Sequence, residues 1–121
     1  MSYFYRSVYG WRDTSFGFGN VVNWQQGAPA LDLPNNCHSI IVSCEACNTA
    51  KPITVGFAET SAAFIASFPS PYGFLITSKV QITIPLGLAT QTNGSRKFWI
   101  WNPATSGIAS VSVMFLFSNG N

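Results

Sequence analysis

Charge is what this sequence lacks. Only 8% of its 121 residues are charged, against about 25% in a typical soluble domain. Glu45 and Glu59 are the only glutamates, Asp13 and Asp32 the only aspartates, and His38 the only histidine. That scarcity excludes much chemistry. Nucleophilic catalysis needs a Ser or Cys beside an imidazole base and an orienting acid, and His38 is the sole imidazole. No Gly-x-Ser-x-Gly elbow occurs. A glycosidase needs two carboxylates facing one bond, and no spacing pairs the acids present. Gly17-Phe18-Gly19 follows no clean strand and opens no helix, so it is not a nucleotide loop. The expectation is a protein with no catalytic residues and no cofactor.

Other absences narrow the class further. Arg6, Arg12, Lys51, Lys79, Arg96 and Lys97 are scattered, and a net charge of +2 makes no phosphate-binding stripe. Nucleic acid is not an expected partner. The Arg96-Lys97 pair reads as a solvated turn before a strand. No apolar run reaches the roughly 18 residues of a spanning helix, so a membrane is not expected as partner either. The N-terminus lacks a basic region followed by an aliphatic run, which argues against a secretory signal. Stretches rich in Ala, Leu, Glu and Lys with helical period are missing as well.

Three cysteines bear on metal and redox chemistry. Cys37, His38, Cys44 and Cys47 lie within eleven residues, and Cys44 and Cys47 have the spacing of a zinc knuckle. Neighbours on a strand point to opposite faces, so Cys37 and His38 are badly placed to reach one ion, and no second Cys pair completes a ribbon. No metal site is expected. A Cys44–Cys47 disulfide across a turn competes with small, half-buried thiols in a reducing compartment, and the thiols are the preferred reading.

What replaces charge is neutral polarity: 23 Ser and Thr, 9 Asn and 4 Gln. Ser and Thr suit the outer face of a sheet, and a surface with so little charge repels copies of itself weakly. Ten glycines and seven prolines punctuate β-branched and aromatic runs. Strands are expected at 38–44, 52–58, 62–68 and 74–84, the last alternating with Phe74, Ile76, Val80, Ile82 and Ile84 on one face and ending at Pro85. Pro69-Ser70-Pro71-Tyr72-Gly73 breaks the chain before it, and Asn93-Gly94 is the strongest hairpin turn. Residues 97–102 and 108–118 are expected to pair as the last two strands. In the second, Val111, Val113, Phe115 and Phe117 share one face, while Met114 and Leu116 make the other apolar too. Such a strand is central in a sandwich or lies at a subunit contact. The expected fold is all-β: an antiparallel β-sandwich or jelly-roll-like domain over residues 25–121.

Residues 1–24 hold eight of the 18 aromatics, interrupted by Gly10, Gly17 and Gly19. They read as an irregular N-terminal arm with one or two short strands, followed by a loop over 25–36 with a Pro-Asn-Asn turn. Large aromatics left in water invite aggregation, so the arm must bury them against the sheet or a partner. Trp99 and Trp101 alternate with Phe98 and Ile100, so one face of that strand presents two tryptophans outward, to the arm, to a subunit or to a sugar. The candidate interface residues are therefore Tyr3, Phe4, Tyr5, Tyr9, Trp11, Trp99, Trp101, Met114 and Leu116.

The segment FWIWNPATSGIASVSVMFLF resembles the closing hairpins of small β-sandwich decoration, or cement, proteins of tailed-phage heads. The likeness is one of pattern over about the last 25 residues. It implies a virion structural protein made in the host cytoplasm and placed on the capsid surface. Its partners would be the major capsid protein and copies of itself, a trimer foremost, with the arm gripping the shell. Two other readings compete with it: a glycan-binding, lectin-like module built on the tryptophans, and a membrane-active β-protein suggested by the aromatic arm.

Overall fold

The computed structural model describes residues 5–17, 19–27, 31–45, 52–66, 73–76, 82–85, 95–103 and 107–118. The chain is all-β, with eight strands in two antiparallel four-stranded sheets and one short helix among the described residues. The strands are β1 (Tyr5–Gly17), β2 (Val21–Asn23), β3 (Cys37–Cys44), β4 (Ile53–Phe57), β5 (Gly73–Ile76), β6 (Ile82–Pro85), β7 (Phe98–Trp101) and β8 (Ile108–Ser118); helix α1 (Ser61–Ala66) lies between β4 and β5. The first sheet runs β1-β8-β3-β6 and the second β2-β7-β4-β5. Among the described strands, only β4 and β5 are successive strands of one sheet; each other successive pair lies in different sheets. At the first crossing Gly19, with φ of 77°, supplies the left-handed turn.

Strict alternation builds the core. Ile40, Val42, Val111, Val113, Phe115 and Phe117 of the first sheet face Ile53, Val55, Phe57, Phe98 and Ile100 of the second in one buried cluster. Phe115 sits at its centre. Its ring meets Phe98 of the opposite sheet edge-on at 5.8 Å and Trp24 at 5.5 Å. Edge-to-face pairs of this kind add to the area they bury. As its pattern implied, β8 is central, with β1 on one side and β3 on the other.

Four expectations need correction. The aromatic N-terminal segment is not an arm: β1 runs antiparallel along β8 from Tyr5↔Ser118 to Gly17↔Ile108, and Phe16 is buried in the core. Register shifts between Tyr5 and Ser7 and between Asp13 and Phe16 break its alternation, which is why the residues looked irregular. The expected strand at 62–68 is a helix over Ser61–Ala66. Thr60 caps it, accepting the Ala63 N–H at 3.0 Å on Oγ1, and the adjacent alanines favour helix. The alternating run 74–84 is two strands of different sheets, β5 pairing with β4 and β6 with β3. Finally, β7 and β8 do not pair with one another, so the closing hairpin that carried the phage-head likeness is not formed. The Asn93-Gly94 turn lies outside the described residues.

Candidate interaction surface

Each sheet has one face in the core, so the outer faces decide what the molecule can touch. On the second sheet that face is largely covered. Asn23, Thr54 and Trp99 are buried although they point away from the core. Trp99 donates its indole N–H to the Ala58 carbonyl at 2.8 Å. Phe64, the one buried residue of α1, meets the half-buried Trp101 ring edge-on at 6.4 Å. The cover is thus α1 and the Ala58 backbone. The N-terminal segment, one of the three covers open to those tryptophans, runs along the other sheet.

The outer face of the first sheet is open. Antiparallel partners share a face, so Val8, Gly10 and Arg12 of β1 line up with Leu116, Met114 and Ser112 of β8, and these with Ser39, Ile41 and Ser43 of β3. Val8 is 54% and Met114 44% exposed, while Leu116 and Ile41 are half-buried. Glycine at position 10 leaves a shallow groove of about 360 Å³ bounded by Arg12, Ile41, Ser112 and Met114. Arg12 lies 3.9 Å from Glu45 at the rim. Val8, Gly10, Arg12 and Met114 all meet solvent on this face.

The remaining candidates divide between interior and surface. Tyr9 and Trp11 belong to the inward side of β1. Tyr9 stacks edge-on against Trp24 at 5.4 Å, and Trp11 donates its indole N–H to the Trp24 carbonyl at 2.9 Å. Trp11 packs against the core cluster and Tyr9 lies beside Phe115 at 6.2 Å, although Tyr9 keeps 37% exposure. Tyr5 pairs with Ser118 through its backbone, and Tyr3 and Phe4 lie outside the described residues. The structure therefore gathers Met114 and Leu116 on one exposed face, places Tyr9 and Trp11 behind it, and separates Trp99 and Trp101 onto the other sheet. Val8, Gly10, Arg12 and Ile41 were missed. The spacing of Val8, Gly10 and Arg12 by two was the available signal, hidden by the neighbouring aromatics.

The titratable groups hold structure together. Asp13 accepts hydrogen bonds from the Ser15 N–H at 2.9 Å and the Ser15 hydroxyl at 3.2 Å, fixing the chain at the β1 irregularity. Lys97 Nζ bridges Asp32 at 3.0 Å and Glu59 at 3.2 Å, and those bonds, Asp32 first, raise its ammonium above the ordinary range. Arg96 donates to the Leu33 carbonyl through Nε at 3.1 Å and to the Pro34 carbonyl at 2.7 Å. The pair expected to be a solvated turn instead pins the loop before β3 and the end of β4.

Of the cysteines, Cys37 is the buried thiol that was expected and Cys44 is not. Cys44 is disulfide-bonded, Cys37 is a free, buried thiol, and Cys47 lies outside the described residues. Burial pushes the Cys37 thiol up to about 11. Among the described residues no three His, Cys, Asp or Glu side chains converge on a point where a metal could sit. Compared with known proteins, the chain matches no family model and no curated sequence.

Proposed function

We propose that this chain is a non-enzymatic structural subunit of a virus particle, of the capsid decoration or cement type, which binds the major capsid protein and copies of itself. The observation that carries the reading is the open outer face of the first sheet. In a chain with 8% charged residues, that face sets Val8, Leu116, Met114 and Ile41 side by side. Apolar surface withdrawn from water contributes roughly 25 cal/mol per Å² before the entropic cost of association.

The strand order supports the reading. We take β1-β8-β3-β6 facing β2-β7-β4-β5 as the jelly-roll arrangement of two Greek keys, an architecture used by viral capsid domains. A disulfide at Cys44 suits a protein that works outside a reducing cytoplasm, as a virion surface would require. The gripping role expected of residues 1–24 passes to the sheet face, because β1 is part of that sheet.

Jelly rolls also serve as lectins. That alternative loses its stacking platform here, since Trp99 is 7% exposed and Trp101 lies against Phe64. Gradient fractionation of cells that naturally express the gene tests the proposal. The chain should sediment with nuclease-resistant particles, and recovery only among free soluble proteins would overturn it. Glycan-array binding lost on Trp101→Ala would favour the lectin instead.

A further inference from the structure

The exposed edge of β1 has a sequence and a hydrogen-bonding phase that fit a second copy of itself. β1 is the outermost strand of its sheet, and among the described residues no strand or backbone hydrogen bond reaches its far side. Irregularities bracket residues 7–13, leaving one stretch in continuous register with β8. Natural edges are usually blunted by Lys, Pro or an inward charge. Residues 7–13 contain no Lys and no Pro, and the one inward-facing charge, Asp13 opposite buried Val111, sits beside Arg12 at the far end, next to the irregularity.

The phase of that edge follows from Gly10. A Cβ built on Gly10 would fall 2.7 Å from the carbonyl oxygen of Val113. That oxygen therefore points at β1, which makes Trp11 and Val113 a hydrogen-bonded pair and Gly10 and Met114 a non-hydrogen-bonded one. The backbone groups of Tyr9 and Trp11 then face β8, and those of Val8, Gly10 and Arg12 face away.

We propose that two copies of the chain associate about a two-fold axis at Gly10, their β1 strands pairing antiparallel to join the first sheets into one continuous sheet. This rests on the self-association proposed above and names the contact that makes it. Gly10 then pairs with Gly10 of the second copy, and Val8 with Arg12, so every outward N–H between them meets an outward C=O. Tyr9 falls opposite Trp11 in a non-hydrogen-bonded pair, where side chains lie closest. That contact covers a tyrosine left 37% exposed in the single chain. Arg12 meets Val8 and Asp13 meets Ser7, so no like charges oppose each other. Centring the pair on Arg12 would set two guanidinium groups side by side, and centring it on Val8 would run into the irregularity between Tyr5 and Ser7. The contact is isologous and closes on itself, which favours a two-fold over the three-fold expected earlier.

Val8→Pro is the decisive variant. It removes an outward N–H and leaves the β8 ladder whole, a position where proline is tolerated in edge strands. Sedimentation equilibrium of the full chain should show a two-chain species for the wild type. The variant should dissociate at least about 100-fold more readily while keeping the wild-type circular dichroism. Amide exchange of the wild type needs no variant: Val8, Gly10 and Arg12 should become protected as concentration rises, while Tyr9 and Trp11 are protected throughout. If the wild type is oligomeric but Val8→Pro leaves it so, or if those three amides exchange freely in the oligomer, the β1 contact is wrong and self-association stands. A wild type that stays monomeric at every concentration overturns both.

Discussion

Replacing Phe16 separates a surface arm from a core strand more sharply than any other single change in the N-terminal segment. Phe16 is 1% exposed, pairs with Ala109 across β1 and β8, and has its carbonyl held by the Asn102 side-chain amide at 3.1 Å. Phe16→Ala keeps that carbonyl bond and leaves a ring-sized void. Buried Phe→Ala changes cost about 3–5 kcal/mol. Against a total of roughly 6–18 kcal/mol for a chain of this length, that is a large fraction. With an unfolding entropy near 2.1 cal/mol/K per residue, 121 residues give roughly 0.25 kcal/mol/K, so the melting temperature should fall by about 12–20 °C. Urea titration should show a lower midpoint at unchanged slope. Leu75→Ala, at a 48% exposed position on the second sheet, serves as control and should shift melting by no more than about 2 °C. A Phe16→Ala shift as small as the control's would mean that residues 5–17 are not integral to the fold.

Three other perturbations test the same structure. The Cys37 proton is held to about 11 in the folded chain and released near 9.0 when unfolded, so the native state binds more protons in between. Stability should therefore fall as pH rises from 9 towards 11, by up to about 1.4 kcal/mol per pH unit, and Cys37→Ala should abolish that slope in denaturant titrations. Phe64→Ala should uncover Trp101, seen as increased acrylamide quenching of tryptophan fluorescence, whereas Thr60→Ala should cost about 1 kcal/mol through loss of the helix cap. Unchanged quenching in Phe64→Ala would mean α1 is not the cover of that face.

Much of the strand content was legible in the sequence because alternation is a local property. The run 108–118 shows both of its faces in its own residues, and 38–44, 52–58 and 97–102 match β3, β4 and β7 to within a residue at each end. What alternation does not carry is sheet membership. Phe74 to Ile84 alternates as though it were one strand, yet β5 and β6 pair with partners in different sheets. The helix was hidden because Ser61–Ala66 is only six residues long and its large apolar side chains, buried Phe64 and exposed Ile65, are adjacent and reveal no helical period. β1 was hidden for the opposite reason: its abundance of aromatics and two register shifts masked the two-residue spacing of Val8, Gly10 and Arg12. The open face was half visible, since Met114 and Leu116 marked it on β8, while its β1 and β3 portions depend on which strands the fold brings alongside.

Native mass spectrometry of the purified chain over a concentration series puts the structural, self-associating role to the test. Copies of 13.1 kDa joined edge to edge should appear as a two-chain species that grows with concentration, alone or as the unit of larger even-numbered assemblies. A spectrum holding only the 13.1 kDa monomer at the highest concentration would contradict it.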